Sequence, residues 1–378
     1  MRALLTRSIR VAVKTDLLDV ALMAVDGTKL RANAAVERSL DAEGLTKLLV
    51  RTETAIAKLE AQNEVGDDPA PPSLPEKLRK AEVLREHVSQ ALEYLLEEEG
   101  GTGKINLTDG EAVMMKGRQG IAPSYNGQAA VVPTNATAQA ILGAEAPAGR
   151  FVVAATVTTL PNDAEELVPV ITEAITQLGQ APALTVADAG YHSGEALAAA
   201  ASAGYPVVLP ESSPTDDPYH RAAFVDDAGH DTLTCPNGNI LTFRGLIAEQ
   251  GQPTRRRYQG TPAVCRACPA FGECTKDKRH GRQVKLSPQD DLLQAHRQFR
   301  AQPEPRAAMK RRRELVEPVF GIIKEVQMGR RLLLRGKTNV EAEWTLLATA
   351  FNLRTLHRVW RALDPAAQAR LVASGHPA

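Results

Sequence analysis

The chain has 378 residues, with 45 Lys or Arg against 45 Asp or Glu, so its formal charge is zero; 43% of residues are apolar and 24% charged. That composition is ordinary for a globular protein, and the length suits about two or three domains with enough chain to bury a core. No apolar run approaches the ~18–20 residues needed to span a bilayer, charge follows Met1 too soon for a secretory signal, and four Cys do not make a disulfide scaffold. The expectation is a cytoplasmic protein with no membrane role, and zero net charge alone argues against nucleic acid as a partner.

Residues 1–20 read as a helix carrying Leu4, Leu5, Ile9, Val11, Val13 and Leu17. The short apolar run Val20–Val25 reads as a buried strand stopped by Asp26, Gly27 and Thr28. Leu45, Leu48, Leu49, Thr52, Ala55, Ile56 and Leu59 recur at helical spacing, as do Leu78, Ala81, Leu84, Val88, Leu92 and Leu95. The Pro-rich stretch Asp67–Pro75 separates them, because proline cannot continue a helix. Two amphipathic helices around such a tip predict an antiparallel hairpin packed as an insertion over residues 35–100.

Ala129–Val132 and Phe151–Thr158 read as strands, Asp163–Leu178 as a helix with Asp163 at its N-cap, and Ala183–Asp188 as a strand. Gly194–Ala203 reads as a helix and Tyr205–Leu209 as a strand, an alternation that implies a parallel α/β core. Residues 213–300 look irregular and hold all four Cys and many Arg, too long for a structureless loop and so an insertion with its own support. Helical character returns from Pro305 to Arg361. The expected division is 1–34, 35–100, 101–212, 213–304, 305–362 and a tail at 363–378.

The charge is segregated. From Arg255 to Lys337 there are 21 Lys or Arg against 8 Asp or Glu, an excess of 13 positive charges offset by the remainder of the chain. Arg255, Arg256 and Arg257 form one dense cluster, and Lys310, Arg311, Arg312 and Arg313 another. Such asymmetry points to an anionic partner on one side.

Asp26 and Asp188 each end a predicted strand, where ligands of α/β sheets gather. Carboxylates brought together there repel unless a cation lies between them, and an all-oxygen acidic site suits Mg²⁺ or Mn²⁺. Glu317 is a third candidate; on a helix it shares a face with Arg313, four residues earlier, and with Lys324, seven later. The plain alternative for each single Asp is a turn or cap. Asp109 and Asp163 are further carboxylates, read as a turn and a helix cap.

The run Ala24–Ala34 with Asp26, Thr28 and Asn33 resembles the first-aspartate motif of DDE transposases of bacterial insertion sequences. Asn106–Asp109, Met115–Lys116, Tyr125–Val131, Leu160–Asp163 and Ala187–Ser193 resemble later segments of that family in the expected order. Arg313, Glu317 and Lys324 match the spacing of its Tyr-Arg-Glu-Lys signature, with Lys310 at the tyrosine position; Leu332–Gly336, Glu341–Trp344 and Asn352–Arg354 resemble its C-terminal helices. Family members usually carry a helical DNA-binding domain before the first strand, whereas about 25 residues precede Asp26 here, so the resemblance reads as the catalytic part.

The resemblance implies an α/β, ribonuclease-H-like mixed sheet flanked by helices, with a triad of Asp26, Asp188 and Glu317 holding two Mg²⁺ (or Mn²⁺) ions roughly 3.5–4 Å apart for cleavage and strand transfer on double-stranded DNA. The partners implied are transposon ends and target DNA, bound by a homodimer. Arg313 and Lys324 would bind phosphate, the first bidentately and the second as a point charge; Lys310, Arg311, Arg312 and Arg255–Arg257 would add to the DNA surface, and Tyr191 and His192 would contact DNA, His192 with the stronger case for a structural role. Two other readings stay open: a ribonuclease-H-like nuclease without strand transfer, and a non-catalytic DNA-binding remnant. Cys235, Cys265, Cys268 and Cys274 read either as a four-thiolate structural Zn²⁺ site or as four reduced thiols.

Overall fold

The computed structural model describes residues 1–63, 76–97, 102–117, 120–211, 217–249 and 253–373. The Pro-rich tip expected at Asp67–Pro75 lies outside them. In chain order the elements are α1 (Arg2–Lys14), β1 (Leu22–Arg31), β2 (Ser39–Leu40), α2 (Ala42–Asn63), α3 (Glu76–Glu97), β3 (Ile105–Asn106), β4 (Val113–Gly117), β5 (Gly120–Pro133), α4 (Ala136–Leu142) and β6 (Arg150–Thr158). They continue with α5 (Leu167–Leu178), β7 (Leu184–Val186), α6 (Gly194–Ser202), β8 (Val207–Val208), β9 (Val225–Asp227), β10 (Thr232–Thr234), β11 (Ile240–Ile247), β12 (Arg255–Gly260), α7 (Pro262–Ala267) and β13 (Gln283–Leu286). Last come α8 (Asp290–Ala301), α9 (Pro303–Gly321), α10 (Lys337–Ala362) and α11 (Pro365–Ala373). No helix of the described residues is long and apolar enough to cross a membrane.

The chain divides into two compact units, the first made of 1–18, 26–161 and 317–378, the second of 19–25 and 162–316. In the first unit β5 pairs antiparallel with β4 through Gly120–Ser124 and with β6 through Asn126–Pro133, and it neighbours β1. Residues Ser124–Pro133 are all buried, among them the polar Ser124, Asn126 and Gln128 as well as the apolar Ala129–Val132. α1 and α10 cover β6, with Leu5, Ile9, Trp344, Ala348 and Phe351 in the core. Fully burying side chains of this kind stabilises by roughly 1.5–3 kcal/mol each. The Trp344 indole N–H donates to the Gln128 carbonyl at 2.9 Å, so its polar edge is satisfied inside the core.

Asn352 is fully buried on α10 and acts as a piece of strand. Its amide oxygen accepts from the Val152 N–H at 2.8 Å, while its Nδ2 donates to the Val152 carbonyl at 2.8 Å and to Ser8 Oγ at 3.1 Å. The register of β5 against β6 shifts between Ala130 and Val131, beside Val152. The side chain thus satisfies backbone groups at a ladder irregularity.

α2 and α3 pack through Leu45, Val88, Ala91 and Leu95. Leu45, near the start of α2, meets residues near the end of α3, so the two helices run antiparallel. Asp41 caps α2 by accepting from the Gly44 N–H at 2.9 Å.

In the second unit β7 runs parallel to both β1 and β8, with Leu22–Ala24 opposite Leu184–Val186. With β5 antiparallel to β4 and β6, the sheet is mixed, as the resemblance implied. Ser193 caps α6 through the Ala196 N–H at 3.0 Å. Asp163 precedes a 3₁₀ turn (Ala164–Glu166) rather than α5 itself, and its side chain makes no cap hydrogen bond, contrary to the sequence reading. The stretch expected to be irregular contains a five-stranded antiparallel sheet in the order β13-β12-β11-β10-β9. Its core is small: Phe224, Leu233, Leu241, Tyr258, Val284 and Leu286. At the C-terminal end, α11 occupies part of what was read as a tail.

Candidate active site

Asp26 does not end its strand. β1 continues through Gly27, Thr28, Lys29 and Leu30 to Arg31, and just beyond it the Ala32 N–H donates to the Pro123 carbonyl at 2.9 Å. The local Asp-Gly-Thr chemistry reads as a turn, but long-range pairing beside β5 overrides it. Asp26 is half-buried mid-strand, and its Oδ1 accepts from the Gly27 N–H at 2.9 Å.

Glu317 stands near the end of α9 with its side chain exposed, immediately before Pro318 inside that helix. Proline removes one helical hydrogen bond and crowds the preceding turn. The chain then winds as a π-turn over Ile322–Val326, a geometry frequent at functional sites. This turn carries Lys324, whose ammonium donates to the Thr28 hydroxyl on β1. The extra winding changes the simple seven-residue register expected for Glu317 and Lys324, yet both side chains face the same groove.

That groove, within the first unit, has a volume of about 980 Å³ and is bordered by Asp26, Thr28, Glu317 and Lys324 together. Further lining cations are Lys29, Arg31, Lys116 and Arg330, and Glu325 is a third acid on its wall. Arg330 Nε donates to Glu325 Oε2 at 3.2 Å. Sequence reading missed Lys29, Arg31, Lys116 and Arg330. The available signal was Lys29 and Arg31 two apart on the first strand; Lys116 joins them through the β4–β5 hairpin, which no local pattern announces.

Asp188 belongs to the second unit, two residues beyond β7. Its Oδ1 accepts from the Gly190 N–H at 2.8 Å and so caps the turn Ala189–Tyr191. A Cβ at Gly190 would lie 3.0 Å from Asp188 Oδ1 and 3.2 Å from Asp163 Oδ2, so both carboxylates crowd this glycine. Tyr191 is fully buried; its ring packs the turn and offers no surface to DNA, contrary to expectation. His192 is half-buried, its ring centroid is 5.9 Å from that of His296, and burial pushes its pKa down. A neutral, enclosed imidazole suits a structural role. Asp109 in the first unit is also structural: its Oδ1 accepts from the Tyr125 hydroxyl at 2.7 Å and the Gly336 N–H at 3.2 Å.

The basic clusters differ from each other. Lys310, Arg311 and Arg313 are exposed on α9 and Arg312 is half-buried. Arg255 and Arg256 on β12 are ion-paired within their own sheet, with Glu249 and with Asp231 at 2.7 Å respectively, and Arg257 is half-buried beside them. Arg256 also lies 4.4 Å from the centroid of Phe243. Their charge is therefore partly neutralised, which the triplet alone did not reveal.

Among the described residues no three His, Cys, Asp or Glu side chains are drawn together into a ready metal-ligand set. The donors facing the groove are nevertheless of the right chemistry for Mg²⁺, which is commonly held by one or two carboxylates, waters and substrate phosphates rather than by an all-protein cage.

Residues 234–357 match a family model described as a transposase DDE domain. The match covers Arg313, Glu317 and Lys324 and all four cysteines, and leaves Asp26 and Asp188 outside it. No curated protein matches the chain. The matched stretch points to a transposition-related function. Over residues 234–357, about a third of its length, the chain is similar to a transposase DDE domain.

Proposed function

We propose that the chain is a metal-dependent DNA transposase that cleaves phosphodiester bonds and joins DNA ends at the groove of its first unit. One observation carries this reading: Asp26 on β1 and Glu317 on α9, remote in sequence, border the same groove with Lys324. Asp188 is taken as the third member of the triad on the resemblance alone. The antiparallel β5–β6 pair beside β1 in one unit, and the parallel β7 and β8 following β1 in the other, support a ribonuclease-H-like reading of the fold.

Asp26 and Glu317 would hold Mg²⁺, with Asp188 included only because the resemblance implies it. Such ions, when bound, lower the pKa of a water and stabilise charge on a leaving oxygen. The chain's own residues bind and align the substrate. Lys324, steadied by Thr28, meets a phosphate as a point charge, and Lys29 and Lys116 extend that positive wall along the groove. Five Lys or Arg against three acids along the described lining attract a polyanion. Arg313 and the exposed Lys310–Arg311 pair on α9 are further phosphate-binding candidates, in the second unit. Two copies of the chain acting on paired DNA ends complete the proposal.

The test is cleavage of supercoiled plasmid and joining of pre-cut DNA ends by the full chain with Mg²⁺. Nicking and joining that both disappear in Glu317→Gln are expected. Nicking without joining would leave a nuclease, and equal activity in the variant would remove the groove from the chemistry.

A further inference from the structure

We propose that Met328 is an apolar wedge that enters the base stack of a DNA duplex lying along the groove of the first unit. This role rests on the reading of that groove as a DNA site. Met328 is 80% exposed and has φ +61°. Side chains resist that left-handed conformation because Cβ crowds the following carbonyl. Glycine is the usual residue where a helical segment ends in this way. Here methionine takes the position and Gly329 follows it. A long apolar side chain held in a disfavoured backbone conformation, with little burial in return, marks a use outside the core.

The backbone on both sides of Met328 is fixed. The Gln327 N–H donates to the Ile322 carbonyl at 3.1 Å, and the Gly329 N–H donates to the Ile323 carbonyl at 2.9 Å. Gly329 is buried, and a Cβ there would lie 3.0 Å from Ile323 Cγ2 and 3.0 Å from Leu347 Cδ1 of α10. Further on, the Leu332 N–H donates to the Arg31 carbonyl at 2.8 Å. The segment is therefore seated against the π-turn, α10 and the end of β1, while the Met328 side chain stands in solvent.

Its place in the molecule is beside the groove. Glu325 and Arg330 flank Met328 in the chain, both border the groove, and they are paired with each other, Arg330 Nε to Glu325 Oε2 at 3.2 Å. From Val326 to Lys337 the chain holds Arg330, Arg331, Arg335 and Lys337 and no Asp or Glu. Arg331, Arg335 and Lys337 are exposed. Arg331 Nη2 donates to Asn33 Oδ1 at 3.3 Å and Arg335 Nε to the Asn33 carbonyl at 3.0 Å, neutral acceptors that do not cancel the two charges.

An apolar tip set among cations complements a partner that is anionic outside and apolar between its layers, as a nucleic-acid duplex is. Proteins that deform DNA insert apolar side chains, methionine among them, between base steps and partly unstack them. Unbranched and polarisable, methionine suits the flat gap between two bases. Unstacking beside the groove frees one strand to turn toward Asp26 and Glu317.

The test is the twist of closed circular plasmid bound by the full chain in EDTA, where metal-dependent cutting is silent, and relaxed by a metal-independent topoisomerase. Bound wild type is expected to lower the linking number in proportion to the protein retained, and to raise permanganate reactivity at unstacked thymines. Met328→Gly removes the wedge and suits the positive φ, so it should fold with no loss of melting temperature, retain DNA, and lose most of both signals. Met328→Leu, which restores an apolar side chain, should recover them. DNA retention by wild type with an unchanged linking number would overturn the wedge and leave the groove as a DNA site. Signals of equal size in Met328→Gly would overturn it as well. A dimer of wild type that Met328→Gly splits without altering the DNA signals would assign the side chain to a second copy instead. No DNA retention by wild type would remove the groove reading and the wedge together.

Discussion

In the proposed function, Asp26 and Glu317 are the residues on which the chemistry turns. Replacing either carboxylate by its amide keeps the shape of the groove and removes charge that a divalent cation needs. Asp26→Asn should lower Mg²⁺-dependent cleavage by at least about 100-fold, the scale seen when one positioned electrostatic group is removed, with gel-shift affinity for DNA retained. Lys324 has a different role. Lys324→Met should weaken binding of unrelated DNA sequences alike and flatten the slope of log affinity against log salt by about 0.9, as one phosphate contact is lost. His296 in the second unit tests burial rather than chemistry. It is 7% exposed, its Nε2 accepts from the Leu209 N–H at 3.3 Å, and its pKa is lowered to about 4 by burial, helped by His192 and Arg300 and opposed by Glu211. Because the folded pKa lies below the unfolded value of about 6.5, the unfolded chain binds the proton first. Stability is therefore full above about pH 6.5 and falls as the pH drops toward 4. Denaturant melts across that range should show the loss, and His296→Gln, whose amide can still accept from Leu209, should flatten it.

At the scale of elements, the decisive contacts are those between β5, β1 and α10 in the first unit. A Cβ on Gly127 would lie 2.6 Å from Leu30 Cδ1 and 3.2 Å from Trp344 Cε2. Gly127→Ala should therefore cost about 1–3 kcal/mol through overpacking, read as a lower melting temperature. Asn352→Ala would strand the Val152 N–H and carbonyl in the core, at about 1–3 kcal/mol per group. Most of these elements were legible in sequence. Phe151–Thr158 is β-branched and apolar and emerges as β6, and the helical spacing from Leu45 to Leu59 and from Leu78 to Leu95 falls on α2 and α3. What local pattern could not show was set by distant partners. β1 runs five residues past Asp26 because it lies beside β5, and Tyr191 is buried by its neighbours rather than by its own motif. The five-stranded sheet was hidden because β9 and β10 have three residues each, β9 is exposed throughout, and β12 opens on three arginines.

For the whole molecule, equal numbers of positive and negative residues conceal a division of labour. The segment from Arg255 to Lys337 is strongly basic, yet Arg255, Arg256, Arg297 and Arg300 pair with carboxylates in their own unit. Charge available to DNA is therefore better represented by the groove cations and the exposed residues of α9 than by the raw excess. Neutral composition says little about a partner when charge is sorted in this way. Of the site, the carboxylates and Lys324 could be named from spacing and resemblance, whereas the wall formed by Lys29, Arg31, Lys116 and Arg330 depended on folding.

The most direct test of the central claim compares wild type with Glu317→Gln on supercoiled plasmid DNA with Mg²⁺, while the same preparations are checked for equal DNA retention and equal melting temperature. Metal-dependent nicking by wild type that falls at least about 100-fold in the variant, with binding and folding unchanged, is the predicted result. Nicking that is the same in both proteins, or no metal-dependent nicking by wild type, would contradict it.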